Sequence, residues 1–193
     1  MARALTRSPE AHRARVRRQL ALVALIGIAP IVASYLAYYF WPRDARVNYG
    51  ALRAEPAPDI RGRTLDGRPF ALADLRGKWV VLAAAGGQCD AVCERALHAG
   101  RQARTIQNAD MDRITRVWLV TDDAAPPPAL VAEHPDLVVA RVEPAGVARL
   151  PDGGRGLALV DPLGNVVLTW PADPDIKAMA KDIARLLRAS RIG

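Results

Sequence analysis

The feature that most constrains this chain is an uncharged run of 22 residues near its start, Leu20–Trp41. As a helix rising about 1.5 Å per residue, the run would be about 33 Å long, enough to cross a hydrocarbon core of about 30 Å. Pro30 can kink a membrane helix without preventing it. Aromatic side chains, which favour the membrane interface, gather at its far end: Tyr35, Tyr38, Tyr39, Phe40 and Trp41. The sequence therefore predicts a transmembrane anchor over residues 19–42 rather than a cleaved signal peptide, whose apolar core spans about 7–15 residues.

Arginines dominate the segment before the anchor. Residues 1–18 hold six arginines and one glutamate, which is +5 of the formal net charge of +7. Basic flanks stay on the cytoplasmic side, so we expect a basic cytoplasmic tail over residues 1–18 and a C-terminal domain across the membrane. The Arg/Ala-rich composition is typical of a high-GC bacterium, which predicts the bacterial inner membrane and a periplasmic domain. The remaining charge of +2 gives no reason to expect nucleic-acid binding.

The rest of the chain divides into a predicted tether and one domain. Residues 43–58 contain Pro56-Ala57-Pro58 and show little apolar periodicity, so we interpret them as a tether. Residues 59–193 have the usual length of one domain with its own core. We expect this domain, cut near Arg53, to fold without the anchor and without metal, because its elements all show apolar periodicity.

Strands and helices alternate along the predicted domain. A turn at Asp66-Gly67 predicts a hairpin over Thr64–Phe70. The later elements are a strand Trp79–Ala84, a helix Asp90–Asn108, strands Arg116–Thr121 and Leu137–Val142, a hairpin from Leu157 to Trp170, and a last helix capped by Asp173. A βαβ unit, in which the first two strands are parallel, followed by a hairpin and a helix indicates an α/β fold. The predicted fold class is a thioredoxin-like domain, a central mixed sheet flanked by helices, preceded by a single N-terminal transmembrane helix.

The two cysteines of the chain, Cys89 and Cys93, follow the first central strand and a Gly-Gly turn. Residues i and i+4 of a helix share a face, so the two sulfurs can meet over a soft metal ion or form a disulfide. The alternative is a pair of small hydrophobic residues in the core. The predicted helix has an apolar stripe formed by Val92, Ala96, Ala99, Ala103 and Ile106. The two cysteines lie at the margin of this stripe, so we expect them to be partly exposed. A helix N-terminus lowers the pKa of a thiol, while the negative charges of Asp90 and Glu94 oppose this, and the sequence leaves the balance open.

The order of the motifs resembles the Sco/SenC family. It consists of Leu75-Arg76-Gly77-Lys78 and a strand, then Cys-x-x-x-Cys, Val120-Thr121-Asp122, and Val160-Asp161-Pro162-Leu163-Gly164. Members of that family are membrane-anchored thioredoxin-fold proteins that help to assemble the CuA centre of cytochrome c oxidase. The resemblance implies copper as a cofactor, Cys89 and Cys93 as its ligands, and an oxidase subunit or another assembly factor as partner.

The chain departs from the family pattern at the third copper ligand. The family histidine lies eight residues before the aspartate of the Asp-Pro hairpin, where this chain has Gly153. None of the three histidines is expected to replace this ligand. At about 100° per residue His98 lies on the opposite side of its helix from Cys89. Nothing in the sequence places His134 near the thiols, and His12 precedes the anchor. We therefore expect a weak Cu(I) site at most, which Gly153→His should strengthen. The thioredoxin cis-proline, expected near Arg155, is also absent.

Three functions are compatible with the sequence. The first is a Sco-like factor for a copper oxidase that uses Cys89 and Cys93 as a redox pair or as a weak Cu(I) site. The second is a general membrane-tethered thiol–disulfide oxidoreductase, disfavoured by the spacing of the pair and the missing cis-proline. The third is a non-catalytic docking partner in oxidase assembly. The sequence leaves enzymatic activity open and favours an assembly factor.

Overall fold

A computed structural model describes residues 9–40 and 48–190, in two compact units, Met1–Arg46 and Val47–Gly193. The first unit contains one long helix, α1 (Pro9–Phe40), and Pro30 lies inside it without ending it. Its segment Arg15–Ala37 has a mean hydropathy of 2.3 and is long and apolar enough to span a membrane. The helix begins before the predicted anchor, so residues 9–18 of the predicted tail are helical. Residues 1–8, 41–47 and 191–193 and the side chain of His12 lie outside the described residues. Parts of the predicted tail, anchor and tether and the last three residues of the predicted domain therefore lie outside them too.

The second unit is built on one mixed sheet, which has eight strands among the described residues. In chain order they are β1 (Ala51–Pro56), β2 (Arg61–Thr64), β3 (Pro69–Ala71), β4 (Trp79–Ala85), β5 (Ile114–Val120), β6 (Leu137–Val142), β7 (Leu157–Val160) and β8 (Asn165–Trp170). Their spatial order is β1-β8-β7-β4-β5-β6-β2-β3. Strands β4, β5 and β6 run parallel, whereas β7 is antiparallel to β4 and to β8. The predicted parallel pair and both predicted hairpins are confirmed.

The central strands are buried on both faces. Trp79 and Val81 of β4 contribute to one hydrophobic cluster, and Val80 and Leu82 to the other. A strand covered on both sides has a nearly continuous apolar sequence rather than an alternating one, which is why these strands could be recognised. The helices of this unit are α2 (Ala91–Thr105), α3 (Pro128–Glu133), α4 (Pro144–Val147) and α5 (Ile176–Ala189). The thioredoxin-like fold predicted from the sequence is confirmed.

Helices α2 and α5 contribute buried residues to the same hydrophobic cluster. Ala96, Ala99 and Ala103 of the predicted α2 stripe are buried, but Val92 and Ile106 are 43% and 48% exposed. The stripe prediction is wrong for these two residues because they lie at the two ends of the helix, in its first turn and at its C-cap.

The cap predicted for the last helix is also different. Asp175, not Asp173, caps α5 by accepting hydrogen bonds from the backbone N–H groups of Lys177 and Ala178. Asp173 instead forms an ion pair with Arg95 of α2, with 3.2 Å between Oδ2 and Nε.

The segment predicted as a tether contributes the edge strand β1, which pairs with β8. The residues just before it are held by Asp182 of α5, which is 2% exposed. Its carboxylate accepts from the backbone N–H groups of Tyr49 at 3.1 Å and Gly50 at 2.8 Å and from Trp170 Nε1 at 3.1 Å. The tether prediction is therefore wrong for Ala51–Pro56. A cut near Arg53 would remove two of the three donors to a buried carboxylate.

Candidate functional site

Cys89 and Cys93 form a disulfide, with 5.1 Å between their Cα atoms. They lie beside an open groove of about 570 Å³ at the carboxyl ends of β4 and β5. The groove is lined by the end of β4, the start of α2, Asp122, Ala172 and the Arg155-Gly156 segment that precedes β7. The adjacency predicted for the two sulfurs is thus present in the structure.

Only Cys93 lies on a helix. Helix α2 begins at Ala91, because the Asp90 carboxylate accepts hydrogen bonds from the backbone N–H groups of Val92 and Cys93 at 3.1 and 2.9 Å and makes Asp90 the N-cap. Cys89 belongs to the preceding turn, has φ +48° and donates its backbone N–H to Gly86 O. The prediction that both cysteines share one helical face is therefore wrong.

Asp122, which follows β5, holds the turn that carries Cys89. Its Oδ1 accepts from the backbone N–H of Gly87 at 2.8 Å and of Ala124 at 3.2 Å. A Cβ at position 87 would collide with the backbone of Ala124, so glycine permits this close approach. No local sequence pattern indicates that Asp122 supports the cysteine turn, because the contact joins residues 35 positions apart.

The cysteines are more buried than predicted. Each is 6% exposed, and both belong to the hydrophobic cluster on the α2 side of the sheet. The pair therefore packs within the core instead of standing at the margin of the helix. Both residues nevertheless line the groove. Access to the disulfide is therefore through the groove.

The loop before β7 forms another wall of the groove. Arg155 and Gly156 line the groove, whereas Gly153 does not. Gly153 has φ +67° and a Cβ there would meet no atom within 4 Å. The position expected from the resemblance to hold a third ligand thus faces open space, and position 155 is the one that lines the groove together with the cysteines.

Histidine does not complete a metal site in the described residues, which contain no group of three His, Cys, Asp or Glu side chains able to hold an ion. His98 and His134 line a different cavity, of about 640 Å³. His134 is 4% exposed, and its Nδ1 lies 3.3 Å from a terminal guanidinium nitrogen of the equally buried Arg116. Burial and the nearby charge of Arg104 lower the pKa of Arg116 to about 10, and burial together with Arg116 lowers the pKa of His134.

A family model described as "transmembrane-like, thioredoxin-like, C-terminal domain" matches residues 79–190, more than half of the chain. The chain belongs to this family. The matched region runs from β4 to α5 and contains both cysteines, Asp122 and Arg155. No curated protein matches the chain.

Solved structures with this fold include Sco proteins and thiol–disulfide oxidoreductases. Yeast Sco1 with copper bound has a TM-score of 0.60 and 16% identity, over 72% of this chain and 96% of that chain. BsSco, described as a Sco-family cytochrome c oxidase assembly protein with a disulfide switch, has a TM-score of 0.57 and 13% identity, over 72% and 95%. The thioredoxin domain of a Bacteroides vulgatus thiol–disulfide oxidoreductase has a TM-score of 0.54 and 18% identity, over 70% and 99%. The resemblance to Sco proteins stated from the sequence is confirmed at the level of the fold.

Proposed function

We propose that this protein is a membrane-anchored, Sco-like factor that performs thiol–disulfide exchange at Cys89–Cys93 outside the cytoplasm during assembly of a copper-containing oxidase. The observation that carries the proposal is the disulfide beside an open groove, held between a capped helix and a turn fixed by Asp122. A disulfide that a partner thiol can reach is able to exchange, whereas one sealed in a core is inert.

The anchor also supports a location of the domain outside the cytoplasm. Helix α1 is apolar enough to span a membrane, and the arginines before it favour a cytoplasmic N-terminus in the bacterial inner membrane. The domain then lies in an oxidising space, where a two-cysteine protein can cycle between dithiol and disulfide. The oxidase link rests on the shared fold and on what the names of BsSco and yeast Sco1 say of those proteins.

The two cysteine sulfurs are suitable ligands for Cu(I) but not for Cu(II). Once the pair is reduced, two adjacent thiolates suit Cu(I), which is soft and accepts low coordination numbers. Cu(II) prefers nitrogen and oxygen donors, and Gly153 supplies none. Copper is therefore better described as a cargo that the reduced pair holds weakly than as a resident cofactor.

Redox titration of the whole chain in detergent micelles tests the exchange function. We expect the disulfide to open and re-form reversibly in dithiothreitol buffers, as followed by alkylation and mass shift. Cys89→Ser and Cys93→Ser should abolish the reversible step and, in competitive titrations of the reduced protein, Cu(I) binding. Cu(I) binding that survives both substitutions would place the copper site elsewhere. A pair that neither reductant nor Cu(I) reaches in the folded protein would leave only the docking role.

A deletion strain tests the link to the oxidase and separates it from general oxidoreductase activity. We expect loss of activity of a CuA-containing oxidase, restored by the wild-type gene and not by the Cys89→Ser gene. Unchanged oxidase activity combined with misoxidised periplasmic proteins would favour the general oxidoreductase. Restoration by the Cys89→Ser gene would favour docking without redox chemistry.

A further inference from the structure

The helix next to the disulfide does not offer free backbone donors at its second and third positions. The Asp90 carboxylate already accepts the N–H groups of Val92 and Cys93, the donors that would otherwise stabilise a thiolate near the helix start. The sequence left open whether the helix N-terminus or the negative charge of Asp90 and Glu94 dominates. With these donors taken and a carboxylate beside Cys89, the helix start can stabilise a thiolate less, and a cation in the groove can contribute more.

Arg155 is the one cationic residue among the described residues that line the groove. The acidic residues that line the groove, Asp90 and Asp122, and Asp152 in the loop before Arg155 are engaged with other groups. Asp122 accepts two backbone N–H groups, and Asp152 is paired with Arg53, with 2.6 Å between Oδ2 and a terminal guanidinium nitrogen. The Arg155 side chain itself has neither a hydrogen bond nor an ion pair within residues 9–40 and 48–190.

The backbone fixes the place of Arg155. Gly156 has φ +82°, and a Cβ there would collide with Trp170 O, so the chain passes close to the end of β8. On the other side, the backbone N–H of Arg155 donates to Asp152 O, whose side chain is tied to Arg53. The guanidinium therefore starts from a defined backbone position at the groove.

We propose that Arg155 stabilises the thiolate that forms when a thiol partner opens the Cys89–Cys93 disulfide, an inference that rests on the exchange function above. The partner thiolate attacks one sulfur, a bond to the partner forms, the Cys89–Cys93 bond breaks, and the other cysteine leaves with the electron pair. A second partner thiol then attacks the mixed disulfide. The partner is oxidised by two electrons to a disulfide, and the protons of its two thiols end on the reduced pair.

The test compares Arg155→Gln, which removes the charge, with Arg155→Lys, which keeps it, in the whole chain in detergent micelles. Arg188→Gln, at an exposed position of α5, is the matched control for loss of a surface arginine. The first readout is the rate of disulfide opening by the neutral thiol 2-mercaptoethanol. The second is the pH midpoint of iodoacetamide alkylation after reduction with a phosphine.

We expect Arg155→Gln to slow opening about 3- to 10-fold and to raise the alkylation midpoint by about half to one pH unit. Arg155→Lys should stay close to the wild type, Arg188→Gln should change neither readout, and the Arg155→Gln effect should shrink at 1 M salt. Equal rates and equal midpoints in all variants would overturn the inference.

The two proposals fail differently. If the wild-type disulfide resists every thiol, the exchange function fails. The alkylation midpoint of the phosphine-reduced chain still reports whether Arg155 stabilises a thiolate. If the disulfide opens at the same rate with and without Arg155, exchange stands and only the role of Arg155 is lost.

Discussion

Replacing Asp182 with alanine should destabilise the C-terminal domain by about 3–5 kcal/mol, because hydrogen bonds to a charged acceptor contribute about 1.5–3 kcal/mol each. Two of its three donors, the Gly50 N–H and Trp170 Nε1, are buried and would be left without a partner. The third, the Tyr49 N–H, is partly buried, and water can replace its acceptor more readily. Folded domains are stable by about 5–15 kcal/mol in total, so this loss would be a large fraction.

The assay is denaturant and thermal unfolding of the whole chain in detergent micelles, followed by tryptophan fluorescence and circular dichroism. For a domain of this size, the melting temperature should fall by about 10–15 °C. Asp175→Ala is the matched control, because it removes a carboxylate of the same helix that caps exposed backbone, and it should cost only about 1 kcal/mol.

Amide hydrogen exchange locates the effect. In Asp182→Ala the amides of Tyr49 and Gly50 should lose most of their protection, while exchange of the β4 amides should become faster only in proportion to the loss of global stability. The reasoning is refuted if Asp182→Ala and Asp175→Ala lose similar stability, or if exchange at Tyr49 and Gly50 is unchanged.

Three further predictions concern pH, copper and topology. The folded-state pKa of His134 lies below its unfolded value. The stability that neutral His134 contributes is therefore complete above pH ~6.5 and is lost as the pH falls below that value. The unfolding free energy of the wild type should decline more steeply with acid than that of His134→Gln. Cu(I) competition should show stronger binding in reduced Arg155→His than in reduced Gly153→His, because position 155 lines the groove with the cysteines and position 153 does not. Equal affinities would contradict this placement of a third donor. A reporter fused after Gly193 should be active only outside the cytoplasm, and cytoplasmic activity would contradict the arginine-based orientation.

The sequence predicted the central part of the domain because burial there leaves a clear pattern. Strands β4 and β5 are covered on both faces and have continuous apolar sequences, and the Pro162-Leu163-Gly164-Asn165 turn marks the last hairpin. Strand β1 was missed for the opposite reason. It lies at the sheet edge, five of its six residues are exposed, and it ends in a proline, so neither alternation nor an apolar run distinguishes it from a tether.

At the site, the sequence identified the two cysteines but not their surroundings. Residue types and spacing show that two sulfurs can meet. They do not show where the helix begins, which depends on the residue that becomes the N-cap, here Asp90. Asp122 and Arg155 line the disulfide groove from segments that lie 29 or more positions from the cysteines along the chain. Such contacts depend on strand order, and local patterns do not contain that information.

The missed strand and the groove are physically connected. Arg53 of β1 pairs with Asp152, which belongs to the same loop as the groove residue Arg155. The Nε of Arg53 also donates to Thr169 of β8 at 3.2 Å. The strand that the sequence suggested was a tether thus anchors one wall of the disulfide groove. A domain cut near Arg53 would place this arginine at a fraying chain end and would lose both backbone donors to Asp182. Any soluble version meant to test the exchange chemistry should therefore begin no later than Val47, the first residue of the second compact unit.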